Sequence, residues 1–237
     1  MKTLRQLKDY DTISLNVSTE ECKNNIRESY KNGECNESLP IYLPLEEGVI
    51  KSLELTKDGN IINYIYFKDC DGYIFAEYYF YNRDTYDFGY LMTLKIAEFS
   101  DTRDKFELID YNKENKDDLE KRSTIMYGIL ETLLLYICFT KDNPKTRVAK
   151  KRLNKSNNDN SGNNNVRSRH IVKLGEKVLY EANFSDNSSK KFKKRQRHTE
   201  SWTVMGFQRR LKSGKTVMVK PHVRGKGKKE KKDYIVK

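Results

Sequence analysis

The chain has 237 residues and a net charge of +12, but the charge is segregated: residues 1–140 hold 17 Lys/Arg against 26 Asp/Glu, a net −9, whereas residues 141–237 hold 29 against 8, a net +21. Such asymmetry argues against a uniformly solvated surface and for an acidic globular part carrying a part that meets a polyanion. Cys22, Cys35, Cys70 and Cys138 are scattered without a Cys-x-x-Cys pair, which excludes the usual zinc spacing and fits reduced thiols in the cytoplasm.

The N-terminus, MKTLRQLKDYDTISL, lacks the continuous apolar region of a signal peptide. A first helix is expected after Ser18, which with Glu21 fits a capping box, while Cys22, Ile26 and Tyr30 repeat at helical spacing and Gly33 ends the run. LPIYLPL, with its two prolines, reads as extended. Residues 49–81 carry three runs rich in β-branched and aromatic residues, separated by turns at Lys57–Asn60 and Asp69–Gly72, the pattern of an antiparallel meander. Its tyrosines suit strand packing better than base stacking, because the surroundings are acidic. Residues 86–110 fit a strand or a short helix.

From Lys116 the chain reads as a helix. Acidic residues lie at its start, and Ile125, Met126, Ile129, Leu130, Leu133, Leu134, Ile137 and Cys138 follow at helical spacing. The apolar run Thr124–Thr140 is shorter than the roughly 20 residues a bilayer needs and has Glu131 at its centre. A core helix packed on the meander is therefore expected, and no membrane partner. Fully burying each large apolar side chain would contribute roughly 1.5–3 kcal/mol before entropy is counted.

Asn143-Pro144 ends that helix, and the polar tract that follows cannot bury enough surface to fold alone. The expected organisation is α+β: an acidic domain over residues 1–142 with a meander and two helices, a flexible linker over 143–165, and a small basic all-β module over 166–237. HIVKLGEKVLYEA reads as a hairpin with Gly175-Glu176 near its turn. A second hairpin runs from SWTVMGFQRRL through the turn Lys212–Lys215 to TVMVKPH. At about 70 residues such a module has a marginal core and is expected to need the acidic domain or a ligand.

The second hairpin has apolar residues near Trp202 and cations toward its turn. Arg209, Arg210, Lys212 and Lys215 would surround a Gly-containing tip suited to phosphate, since Arg offers paired donors and Lys a point charge. Trp202, Lys220, His222 and Arg224 on the arms, and Lys193, Lys194, Arg195 and Arg197 in the connector before them, complete the candidate nucleic-acid-binding set. Lys-Ser-Gly-Lys lacks the spacing of a P-loop. His198 and His222 flank the hairpin, and strand pairing would set them opposite each other. They are the only catalytic candidates, as a general acid–base pair for cleaving RNA. With no Cys or carboxylate ligands nearby, they make a poor metal site. No cofactor is expected.

The segment 198–225, with its W-T-V-x-G-x-x-R-R-x-K-S-G-K and V-K-P-H-V-R-G, resembles a C-terminal segment of uncharacterised proteins of phages and mobile elements of Gram-positive bacteria. These often read W-x-V-x-G-H-x-R; Phe207 stands here where they carry His. The resemblance implies an origin. Together these features predict a phage-type accessory protein that binds nucleic acid or a ribonucleoprotein, with residues 1–142 contacting itself or a host protein. The alternatives are an inhibitor of a host defence complex, resembling anti-CRISPR proteins in acting by protein contact, and a small ribonuclease using His198 and His222.

Overall fold

The structure is a computed structural model that describes residues 1–32, 41–56, 59–97, 106–113, 118–143, 145–150, 170–181, 201–227 and 229–236. In chain order, the first half comprises α1 (Leu4–Leu7), β1 (Thr12–Leu15), α2 (Thr19–Lys31), β2 (Glu47–Thr56), β3 (Gly59–Asp69), β4 (Tyr73–Asn82), β5 (Phe88–Ala97), β6 (Phe106–Tyr111) and α3 (Leu119–Asp142). The second half adds β7 (Lys145–Lys150), β8 (His170–Leu174), β9 (Glu176–Glu181), β10 (Trp202–Val204), β11 (Phe207–Arg210), β12 (Thr216–Val219), β13 (His222–Arg224) and β14 (Lys232–Val236). The chain is α+β.

Its centre is an 8-stranded sheet in the order β6-β5-β4-β3-β2-β1-β14-β8. From β2 to β6 it is the expected meander, antiparallel throughout. Residues 86–110, which fit a strand or a helix, supply β5 and β6. The β3–β4 turn closes on a hydrogen bond from the Cys70 N–H to the Tyr73 carbonyl at 2.9 Å. Asp71 and Gly72 there have φ +47° and +111°, the left-handed pair that a tight hairpin requires. In β5 the register shifts so that Tyr79 faces Tyr90 while Tyr78 faces Met92. The extra residue, Leu91, turns Tyr90 to the face opposite Met92.

One face of the sheet packs on the helices. Ile50, Ile65, Phe67, Ala76, Met92 and Leu94 form a single cluster with Ile26 of α2 and with Leu130, Leu133, Leu134 and Ile137 of α3. Ser18 caps α2 as expected, in a full capping box with Glu21. By length and composition α3 could cross a membrane, but half of its most apolar window is buried against the rest of the chain. The other face carries Val49, Ile62, Tyr64, Tyr66, Tyr79 and Tyr90, capped by Leu7 of α1. The sequence reading has no counterpart to this short helix. These tyrosines are packing residues. Tyr79 hydrogen-bonds Glu77 at 2.6 Å and Tyr66 hydrogen-bonds Glu47 at 2.5 Å, and burial raises the pKa of both phenols.

Three features differ from the sequence reading. Residues 145–150, expected in the linker, form β7 and pair in parallel with β9. Thr146 and Val148, at strand period, favour the extended form. Residues 170–181 are not a hairpin: β8 pairs with β14 and β9 with β7. The single Gly175, at φ +81°, redirects the chain, and one residue is too short a loop for two strands to fold back on each other. Finally, the end of the basic segment is part of the main sheet. β14 lies between β1 and β8, parallel to both, and buries Tyr234 and Val236 in the helix-covered core. The alternation that makes it a strand lies just behind a run of lysines, and its partner is some 220 residues away in the chain.

Candidate nucleic-acid interface

The second hairpin forms as expected, in two ladders. At the tip, Phe207 pairs with Val219 and Arg210 with Thr216; further down, Trp202 pairs with Arg224 and Val204 with His222. The turn is closed by the Leu211 N–H on the Lys215 carbonyl at 2.8 Å and the Gly214 N–H on the Leu211 carbonyl at 3.0 Å, with Gly214 at φ +82°. Between the ladders the strands part at Met205-Gly206 and Lys220-Pro221. Pro221 has no N–H to donate, and the Gly206 N–H turns outward to the Pro44 carbonyl at 3.0 Å. A Cβ on Gly206 would lie 3.1 Å from Pro221 Cδ and 3.2 Å from the Leu43 carbonyl oxygen, so the close approach suits glycine.

The lower ladder is the anchor. Thr203 and Met205 are buried. The Thr203 hydroxyl donates to Asp11 Oδ2 at 2.8 Å, and Asp11 Oδ1 accepts the Lys232 backbone N–H at 2.8 Å. The Lys229 ammonium lies 3.7 Å from the same buried carboxylate. Asp11 therefore ties β1 to both the hairpin base and β14. Sequence reading missed it, because one aspartate in a polar N-terminal stretch carries no pattern.

The tip is the opposite. Every residue from Gln208 to Thr216 is exposed. Strand alternation sets Arg209 on the side of Phe207 and Val217, and Arg210 on the side of Gln208 and Met218. With Lys212 and Lys215 on the turn, the tip is cationic on both faces. Lys220, His222 and Arg224 are exposed on the returning arm. From 201 to 227 the chain has seven Lys/Arg and no Asp/Glu. Arg209, Arg210, Lys212, Lys215, Lys220 and Arg224 have no carboxylate partner among the described residues.

Trp202 belongs to the anchor end; it is half-buried, with the Lys232 ammonium 5.5 Å from its ring centre. The Nδ1 of His222 is 3.2 Å from the Lys220 carbonyl oxygen. His198 lies outside the described residues, as do Lys193, Lys194, Arg195 and Arg197. Among the described residues no cluster of three His, Cys, Asp or Glu side chains could hold a metal ion.

Two cavities lie where the hairpin meets the acidic sheet, and sequence reading had no access to either, since their walls come from segments more than 100 residues apart. One, of about 340 Å³, is bordered by Glu46, Glu47, Asp69, Asp71, Lys220 and Lys229. The other, of about 300 Å³, is bordered by Tyr42, Tyr73, Ile74, Met218, Lys220 and Pro221. Behind the second, the Tyr42 hydroxyl donates to Asp142 at 2.9 Å, and the Lys141 ammonium is 3.3 Å from that hydroxyl. Burial lowers the pKa of Lys141, with Asp142 opposing, and raises that of Asp142, with the Tyr42 hydrogen bond and Lys141 opposing. This group fastens the end of α3 to the 41–44 segment on which the hairpin rests. No family model, curated protein or solved structure matches the chain.

Proposed function

We propose that the hairpin of residues 207–219 binds the phosphate backbone of a nucleic acid, and that the protein is a non-enzymatic accessory protein of a phage or mobile element. The observation that carries this reading is an exposed, acid-free tip on a buried base. Arg209, Arg210, Lys212 and Lys215 stand free around a glycine turn, while Asp11 holds the root through Thr203. An ion-paired surface would already have its cations neutralised; these are available to displace counterions from phosphate. In this reading the basic β segment is the binding module, Lys220, His222 and Arg224 extend its track, and the acidic sheet provides the scaffold and a surface for a protein partner.

The test is the full chain with Arg209, Arg210, Lys212 and Lys215 all changed to Ala. Binding of labelled oligonucleotides is followed by fluorescence anisotropy at several salt concentrations, and Trp202 fluorescence reports the fold. Binding should weaken strongly. The slope of log affinity against log salt should flatten by up to about 0.9 per lost contact on duplex DNA, or about 0.7 on a single strand. Undiminished binding by a folded variant overturns the proposal. Shortening of RNA with time that is lost in both His198→Ala and His222→Ala would instead make the protein a ribonuclease.

A further inference from the structure

We infer that the cavity of about 300 Å³ beside β12 receives an unstacked nucleobase, so that the ligand of the hairpin is single-stranded. The inference rests on the phosphate-binding reading above and specifies its substrate class. It is bordered by Tyr42, Tyr73, Ile74, Met218 and Pro221, with Asp69 and Lys220 beside them, so that apolar and polar surface line it in about equal measure. A flat aromatic ligand with a polar edge fits such a wall: its faces meet apolar and aromatic surface, and its N–H groups meet a carboxylate acceptor.

Location points the same way. Lys220 belongs both to this cavity and to the acid-free run that begins at the tip. Met218 faces the same side of the ladder as Arg210. A strand whose phosphates follow Arg210 and Lys220 thus passes the mouth of the cavity without leaving cationic surface. The neighbouring cavity fits a nucleic acid less well, because it adds Glu46, Glu47 and Asp71 to the Asp69 that both cavities share. A base inside a duplex is paired and stacked on both faces and cannot enter a side pocket unless it is flipped out, which selects single strands.

The test uses the full chain with labelled mixed-sequence 12-mers of RNA and of DNA, each single-stranded and as a duplex. A second set of single strands carries the fluorescent base 2-aminopurine at successive positions. The variants are Tyr73→Ala, Met218→Ser and the four-alanine tip variant. Met218 is 41% exposed, so its replacement leaves the core intact should Tyr73→Ala fail to fold. The wild type should bind single strands more tightly than duplexes and quench 2-aminopurine at one or a few positions. Tyr73→Ala should weaken single-strand binding by roughly tenfold, as expected for losing one stacked base. Met218→Ser should weaken it by less, and both should abolish the quenching while leaving the salt slope unchanged. Equal quenching and affinity in Met218→Ser and wild type, or a wild-type preference for duplex, overturns the base pocket and leaves the phosphate reading standing. Loss of binding in the tip variant with none in the pocket variants has the same meaning. No binding of any oligonucleotide by the wild type overturns both. Comparison of the RNA and DNA arms assigns the sugar.

Discussion

Asp11→Ala tests how the basic segment is held to the sheet. The Asp11 carboxylate is buried and accepts from the Thr203 hydroxyl and the Lys232 backbone N–H, each at 2.8 Å, with the Lys229 ammonium at 3.7 Å. Alanine leaves both donors without an acceptor, at about 1–3 kcal/mol apiece. The Lys229 side chain is half in solvent, so its pair adds no more than about 1 kcal/mol. A loss of about 2–7 kcal/mol follows, a large share of the roughly 5–15 kcal/mol that holds a typical domain together. Asp11→Asn keeps a carbonyl oxygen for the Lys232 N–H and offers an amide to the Thr203 oxygen, so it should cost about 1–2 kcal/mol. Urea unfolding followed by Trp202 fluorescence gives the stability. Hydrogen exchange of residues 232–236 shows whether β14 is the element released, and its amides should lose protection first in the alanine variant. An alanine variant within about 0.5 kcal/mol of wild type, or an asparagine variant as damaged as the alanine one, would refute the reasoning.

Gly128→Ala and Gly48→Ala are the same chemical change with opposite expected signs in thermal unfolding. A Cβ at Gly128, inside α3, meets nothing within 4 Å, and the substitution should stabilise by about 0.5–1 kcal/mol. At Gly48 the new carbon would lie 2.8 Å from Leu45 Cδ1 and 3.0 Å from the Asp11 carbonyl oxygen, and overpacking should cost about 1–3 kcal/mol. Burial pushes the Cys22 and Cys138 thiols up from 9.0 to about 12. Neither should react with iodoacetamide in the native protein at pH 8, while Cys70, half-exposed, should label; peptide mass spectrometry reads all three, and labelling of Cys22 or Cys138 at the Cys70 rate would contradict the packing. The unfolded chain loses these two protons first, so their contribution to stability is full below about pH 9 and declines from there toward about pH 12.

The local elements were legible because each is a short-range problem. Ser18 and Glu21 satisfy the first N–H groups of α2 and each other, whatever lies around them. Asp71-Gly72 can adopt the two left-handed conformations that a tight hairpin needs, so the β3–β4 connection follows from two residues. Leu130, Leu133, Leu134 and Ile137 recur at helical period, and α3 is where they bury. The basic hairpin was visible for the same reason, with Gly214 at its turn and strand alternation on both arms.

What the sequence by itself determined, then, is the elements, the meander made by consecutive neighbours, and the acid-free run of cations at residues 201–227. Only the tertiary structure decided which distant pieces meet. β14 pairs with β1 and β8 through backbone hydrogen bonds, which are the same for every residue except proline and so leave no trace in side-chain pattern. The split of residues 170–181 between two sheets has the same cause, since alternation makes a strand but does not name its partner. Asp11 acquires its role from Thr203 and Lys232, and the aromatic cavity exists because Tyr42, Tyr73 and Met218 converge from three segments. Burial and apposition across more than 100 residues are properties of the folded chain, and no local stretch encodes them.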